Sequence, residues 1–433
     1  WGADPSCGKK VGKGYAGGSY HSATISGLEP GKKYYFYIAS RSPLREHHSN
    51  TELAIADKFK ARELVKSEVA EFTTATREAP RREYFVAFAG NDENPGTKDA
   101  PLGSISRAME LALAGDTVTV EPGVYSEHVM FRSGGDNGRE ILLRSAVPGG
   151  AVIDGRRKIP VVMTLNNKSH ITVDGFTFRN VGGTRGACLR INNGRKIVLR
   201  RCFSDGRSSS YTPGLVRAEF VENLLLDNCV IISSFFGGMF MRCPDLVVRN
   251  CVWYLNARHL YVHNQPDEPV LFKNCLMAEN LATKHVLEFF RVWHLEALKV
   301  RNCAFYLRMP KEHRTMVAFV RKNGDRVDRQ LKWSELKAAG VDMTGTIFGN
   351  PDWSILPKGL MMFSTPPELD GNPDALVKHY YKESARFSST YREMELGQNQ
   401  TAYDYKIWKI EDFIPRNPEF LKKEIGLLPE MFH

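Results

Sequence analysis

No apolar run in this sequence is long enough to cross a bilayer: the most apolar stretch, Leu224 to Met241, is broken by Asp227 and Asn228. A membrane span is therefore not expected. The eight cysteines include no Cys-x-x-Cys pair, which removes the usual zinc-binding spacings. The formal net charge of +10 comes with no aromatic RNA-binding signature and no zinc-finger spacing. The basic excess thus points to an anionic surface or a charged polysaccharide, not to nucleic acid. No secretory signal opens the chain, which starts abruptly at Trp1. Between Cys202 and Cys303 there is also no helix-period stripe long enough for a helical repeat.

What that stretch holds instead is a recurring phrase: an apolar strand, then Asn, then Cys, then another strand. It reads LLLDNCVI from Leu224, LVVRNCVW from Leu246, VLFKNCLM from Val270 and LKVRNCAF from Leu298. The five cysteines Cys202, Cys229, Cys251, Cys275 and Cys303 are 27, 22, 24 and 28 residues apart. A period in this range marks a solenoid, and the two-residue alternation rich in Val, Leu, Ile and Phe makes it a solenoid of strands. With three short strands per coil, equivalent residues stack at roughly 4.8 Å. The cysteines then form an inward ladder of buried thiols. Asn228, Asn250, Asn274 and Asn302 form a second ladder at the turn, where Asn tolerates unusual backbone angles and its amide can bond along the stack. Arg201 and Gly175 keep the same register in earlier coils. The expected fold is all-β: a right-handed parallel β-helix over residues 80–325, with a partial β-sandwich at 1–79 and a mixed C-terminal extension at 326–433 that folds back on it. Within that extension, Lys358 to Lys409 reads as an inserted arm with a helix near Asp374 to Arg386.

One more strand family precedes each Asn-Cys strand: ACLRINN, GLVRAEF, GGMFMRC, RHLYVHN and HVLEFFR. Turning the apolar positions inward places Leu189, Ile191, Val216, Ala218, Met239, Met241, Leu260, Val262, Leu287 and Phe289 in the core. The alternate positions then face out: Arg190 and Asn192, Arg217 and Glu219, Phe240 and Arg242, His259, Tyr261 and His263, and Glu288 and Phe290. A uronic-acid polysaccharide carries a carboxylate beside the proton that β-elimination removes. The guanidinium groups of Arg190, Arg217 and Arg242 could neutralise that carboxylate and stabilise an enolate-like transition state. Tyr261 or His263 would take the proton, and the other, or His259, would protonate the departing oxygen. Phe240 and Glu288 complete the expected binding surface. The bland alternative is that Arg217 merely pairs with Glu219 and the sheet is a solvated face. Hydrolysis is disfavoured because Glu219 and Glu288 lie three coils apart, roughly 14 Å at the strand spacing, beyond the roughly 5–9.5 Å of paired glycosidase carboxylates.

Two resemblances add to this reading. Leu28, Pro30, Gly31 and Tyr34, with the closing Phe72-Thr73-Thr74 strand, resemble the second half of a fibronectin type III domain, which implies a spacer module without chemistry. The segment from Tyr84 to Val129, with a polar loop holding Asp92, Glu93 and Asp99 and an amphipathic helix from Ser104 to Ala114, resembles the opening segment of secreted right-handed β-helix proteins, including many polysaccharide lyases of the pectate-lyase-like superfamily. That resemblance implies a secreted, periplasmic or cell-surface protein acting on an acidic polysaccharide. Calcium-dependent members place Asn and Glu ligands beside a catalytic Lys and Arg. Asn192, Glu219 and Arg242 match ligand, ligand and Arg, while no Lys faces out on these strands. A non-catalytic glycan-binding or cell-surface β-helix is the reading from a different class, and a glycoside hydrolase the third.

Overall fold

The computed structural model describes residues 1–9, 25, 28–29, 31–40, 65–74, 80–156, 158–182, 187–205, 213–232, 234, 236–256, 258–265, 267–280, 288–292, 295–306, 315–317, 330–353 and 410–432. The arm expected at 358–409 and its helix lie outside the described residues. The chain forms two compact units, Trp1–Pro80 and Arg81–His433. In the first, Lys33–Phe36 pairs antiparallel with Ala70–Thr73, and Ala39–Ser40 with Val65–Lys66. Tyr34 is buried there, stacked on Phe72 at 5.9 Å, and its hydroxyl accepts the Glu29 N–H at 2.9 Å.

The second unit is a parallel β-solenoid. One face is a nine-stranded parallel sheet running from Gly123–Tyr125 to Ile347–Phe348. The other two faces merge into a 14-stranded sheet because Ala187–Arg200 and Pro213–Asp227 run unbroken around the corner between them. Both strands bend at residues of positive φ, Asn193 and Lys196 in one and Phe220 and Asn223 in the other.

The two ladders stand where the spacing puts them. Cys202, Cys229, Cys251, Cys275 and Cys303 are fully buried and unbridged. Desolvation raises the pKa of Cys202, Cys229, Cys251 and Cys303, so these thiols stay protonated. Asn228, Asn250, Asn274 and Asn302 all hold φ between 49° and 56°, and Gly175 and Arg201 do the same job at 76° and 51°. Asn is the L-residue that tolerates this region best, which is why it recurs at the corner.

The Asn amides bond less along the stack than outward, to the C-terminal segment. Asn302 Nδ2 donates to Asn274 Oδ1 at 2.9 Å and to the Lys423 carbonyl at 2.7 Å. Asn250 Nδ2 donates to the carbonyls of Glu424 and Gly426, and Asn228 Oδ1 accepts the Leu428 N–H. Arg201 reaches the Met431 carbonyl at 3.0 Å. Residues 423–431 therefore run down the Asn corner as a strap across five consecutive coils. Above it, Phe413 is fully buried against Phe203, Tyr254 and Trp353, at centroid distances of 5.8, 6.0 and 5.7 Å.

The open end of the stack is closed by the helix Ile105–Leu111, whose Ile105, Ala108 and Met109 are buried. Asp92, in the polar loop, accepts hydrogen bonds from Gly103 N, Ser104 N and Ser104 Oγ, so its carboxylate serves the helix cap. Glu127 accepts from Ile105 N and Ser106 N at the same helix start.

His170 is a further consequence of close coil packing. It is 2% exposed at φ 56°, and neither ring nitrogen has a hydrogen-bond partner. The turn at Gly135 lies so close that a Cβ there would sit 2.3 Å from the His170 carbonyl oxygen. Desolvation, then Lys196 and Arg195, lower its pKa, against weaker opposing effects of Asp136 and Glu140. A depressed folded-state pKa means that the unfolded chain binds the proton first as pH falls. Stability from this group is complete above about pH 6.5 and is lost as pH drops below it. His170→Asn keeps a residue suited to positive φ and removes the titration. It should flatten the decline of Tm between neutral pH and pH 5, and an unchanged decline would show that His170 does not carry it.

Candidate functional site

The candidate face comprises Val129–Met130, Val161–Thr164, the first half of Ala187–Arg200, the first half of Pro213–Asp227, Phe236–Met241, Arg258–His263 and Glu288–Val292. Parallel register fixes which side chains share a row. Thr164 is opposite Arg190, Arg190 opposite Arg217, Arg217 opposite Met239 and Met239 opposite Tyr261. In the next row Asn192 is opposite Glu219, Glu219 opposite Met241 and Met241 opposite His263. Between the rows, Ile191, Ala218, Phe240 and Val262 face the core.

Tyr261 and His263 are thus half-buried on the outer side, because Leu260 and Val262 are buried. The Tyr261 ring meets Phe236 edge-on at 5.6 Å. His259 is on the same strand, but its side chain and that of Glu288 lie outside the described residues. Arg190 and Arg217 occupy adjacent positions in one outward row. Both Nε and Nη2 of Arg217 reach Glu219 Oε1 at 2.7 Å, so the pair that could have been a bland surface contact is formed.

Two expected placements are corrected. Phe240 is 1% exposed and faces inward, while Met239 and Met241 take the outward places. The reason is space: Gly238 lies inward two residues earlier, and a Cβ there would fall 2.9 Å from Phe240 Cε2. Ala218, small, is its neighbour in the coil below. Gly238→Val should accordingly cost about 1–3 kcal/mol through overpacking, read as a lower urea midpoint. Phe240→Leu in the same chain should recover part of the loss, and no recovery would contradict this packing.

Arg242 is the second correction. With the phase reversed it falls past the strand end, at φ 55°, and its Nε donates to Glu268 Oε1 at 2.8 Å. Glu268 also accepts the Gln265 N–H, so Arg242 clamps a turn and does not stand in the outward row. Glu288 pairs in register with Arg258, and Arg291 is the residue opposite Tyr261; the side chains of Glu288 and Phe290 lie outside the described residues.

Asn192 and Glu219 stand side by side in the second row. They supply two oxygen-bearing side chains, one of them already compensated by Arg217, whereas calcium takes six to eight oxygens. Among the described residues no group of three His, Cys, Asp or Glu side chains is placed to hold a metal.

The structure adds one residue that the repeat phrase did not reveal. His128 Nε2 lies 2.9 Å from Thr164 Oγ1, one coil below Arg190. Desolvation and then the positive Arg190 lower its pKa, which keeps the imidazole neutral near pH 7. The position that extends the outward row downward is Met130, opposite Thr164, and His128 stands two residues before it.

Residues 88–130, which contain the cap helix and His128, match the family described as "Protein of unknown function (DUF1565)". The "Uncharacterized protein YwoF" of Bacillus subtilis (strain 168) is 28% identical over 119 residues, 26% of this chain and 25% of that protein. The chain thus matches about a quarter of that curated relative's length. Among solved structures, pectate lyase Pel9A is similar at 15% identity and a TM-score of 0.40, over 63% of this chain and 78% of that one. A rhamnogalacturonan lyase is similar at 14% and 0.39, over 69% and 99%. A glycoside hydrolase is similar at 9% and 0.42, over 52% and 83%. These are likenesses of fold and bear on no reaction. No helix among the described residues is long and apolar enough to cross a membrane.

Proposed function

We propose that this chain acts on a uronate-containing polysaccharide by β-elimination, with Arg190, Arg217, Tyr261 and His263 as the working groups. The observation that carries this reading is the single outward row in which two guanidinium-bearing residues and Tyr261 stand in register, with His263 in the row beside it. Arg217 and Tyr261 are two strands apart, roughly 9.6 Å along the stack. A uronate lying over Met239 would direct its carboxylate to Arg217 and its acidified C–H toward Tyr261.

The chemistry follows from those positions. Arg217 and Arg190 offset the charge that grows on the carboxylate as the neighbouring carbon loses its proton. Tyr261 or His263 accepts that proton, and the other donates one to the oxygen that leaves as the new carbon–carbon double bond forms. Met239 and Met241 give the face an adaptable apolar surface. Asn192 and Glu219 supply two oxygen ligands of the kind calcium takes, fewer than the six to eight it needs, and no step is assigned to a cation. The working location would be secreted, periplasmic or at the cell surface, with residues 1–79 as a fibronectin type III-like spacer.

The test is to incubate the full chain with a panel of acidic polysaccharides and follow the ultraviolet absorbance of unsaturated product. Rising absorbance supports the lyase. Shortened saturated products would replace it with a hydrolase. Binding without any product would make the face a docking surface, the role favoured by the closed Arg217–Glu219 pair.

A further inference from the structure

The second of the two merged faces, which leads into the Asn corner, carries two outward rows. One is largely apolar and half-buried: Leu142, Thr172, Val198, Leu225, Val247 and Leu271 follow one another in register, and Lys299 closes the row. The other is charged, in the order Arg144, Asp174, Arg200, Asp227, Arg249, Lys273 and Arg301. Successive members stand one coil apart, roughly 4.8 Å.

Up to Arg249 the charged row alternates in sign. Ion pairs form along it, Arg200 to Asp174 at 2.7 Å and Arg249 to Asp227 at 2.8 Å. Then the alternation stops. Arg249, Lys273 and Arg301 are cations on consecutive coils, and Lys299 adds another two residues before Arg301. Asp342 holds Arg301 at 2.6 Å from outside the row, but among the described residues no carboxylate lies within ion-pair distance of Lys273. Like charges on neighbouring strands cost stability. Asp174 and Asp227 show that the same row takes an acid between two cations elsewhere, and Arg249, Lys273 and Arg301 are all exposed, so burial does not select them.

We propose that Arg249, Lys273 and Arg301, with Val247 and Leu271 beside them, form an anchoring site for a linear polyuronate, separate from the face that holds Tyr261. The choice of polymer rests on the reading of that other face as an acidic-glycan site. A polyuronate presents one carboxylate per sugar ring, so a chain lying along the stack meets a cation on each coil. Its C–H faces then rest on Val247 and Leu271. A nucleic-acid duplex would satisfy the cations and leave the apolar row uncovered. Polymer held here keeps its other segments close to the Tyr261 face at a raised effective concentration.

Calorimetric titration of the full chain with polygalacturonate and with alginate, beside Tm measurements, tests the anchor. Lys273→Glu carries the alternation through to Arg301. It should leave Tm unchanged or raise it by about 1 °C, while weakening polymer binding about fivefold or more. Lys273→Arg should bind within about twofold of wild type. Unchanged affinity in Lys273→Glu overturns the anchor and leaves the reading of the Tyr261 face standing. A lower Tm in Lys273→Glu gives Lys273 a role in the fold and overturns it as well. Equal affinity of the wild-type chain for a DNA duplex overturns the choice of a glycan. Binding that Lys273→Glu weakens and Arg217→Gln does not supports the anchor and brings down the Tyr261 face as a glycan site. No binding of either polymer by the wild-type chain brings down both.

Discussion

Phe413→Ala is expected to lower the stability of the solenoid by about 3–5 kcal/mol, seen as a lower denaturant midpoint with an unchanged slope. Phe413 is fully buried, and three aromatic rings from three separate parts of the chain close on it: Phe203, Tyr254 and Trp353. Removing the ring leaves a cavity that these rigid neighbours cannot collapse to fill, which is why the loss should exceed simple transfer of the side chain to water. The effect should reach further than the cavity. Phe413 anchors the segment that continues into the strap, whose main chain satisfies the amides of Asn228, Asn250 and Asn302. A change below about 1 kcal/mol would show that the segment packs on the coils without supporting them.

If the chain cleaves a polyuronate as proposed, Tyr261→Phe should reduce kcat by about 10²–10⁴-fold with KM little altered, since the change removes only the hydroxyl proposed to transfer the proton. His263→Asn should have an effect of the same order, because the elimination needs both a proton acceptor and a proton donor. Arg217→Lys should behave differently. It keeps the charge but loses the two-nitrogen grip now made on Glu219, and should raise KM as well as lower kcat. Steady-state kinetics on purified variants separates these patterns. Full activity in Tyr261→Phe would remove Tyr261 from the reaction, and equal losses in kcat and KM for all three variants would indicate a disturbed face instead of distinct roles.

The parts of this molecule that could be read in the sequence were those repeated often enough to set their own register. Four Asn-Cys phrases fixed the corner, the inward thiols and the direction of the strands on either side. Leu260 and Val262 were unambiguous because polar residues flank both, so the outward placement of Tyr261 and His263 followed. GGMFMRC and HVLEFFR were ambiguous because apolar side chains occupy both alternating sets. Hydropathy cannot choose a phase there. Size chose it, with Gly238 and Ala218 making room for Phe240, and a size match between coils is visible only once the coils are aligned. His128 precedes a two-residue strand outside the repeated phrase, and the strap contacts span separations of 121 to 230 residues. Neither leaves a local pattern to read.

The interior row of sulfur atoms has a consequence for where such a chain can live. With Cys202, Cys229, Cys251, Cys275 and Cys303 sealed in the stack and unbridged, the coils need no oxidant to assemble and no reductant to stay intact. The same architecture is compatible with either side of a redox boundary. Alkylating reagents would reach these sulfurs only when a coil separates from its neighbours, which makes their modification rate a built-in gauge of how often the stack breathes.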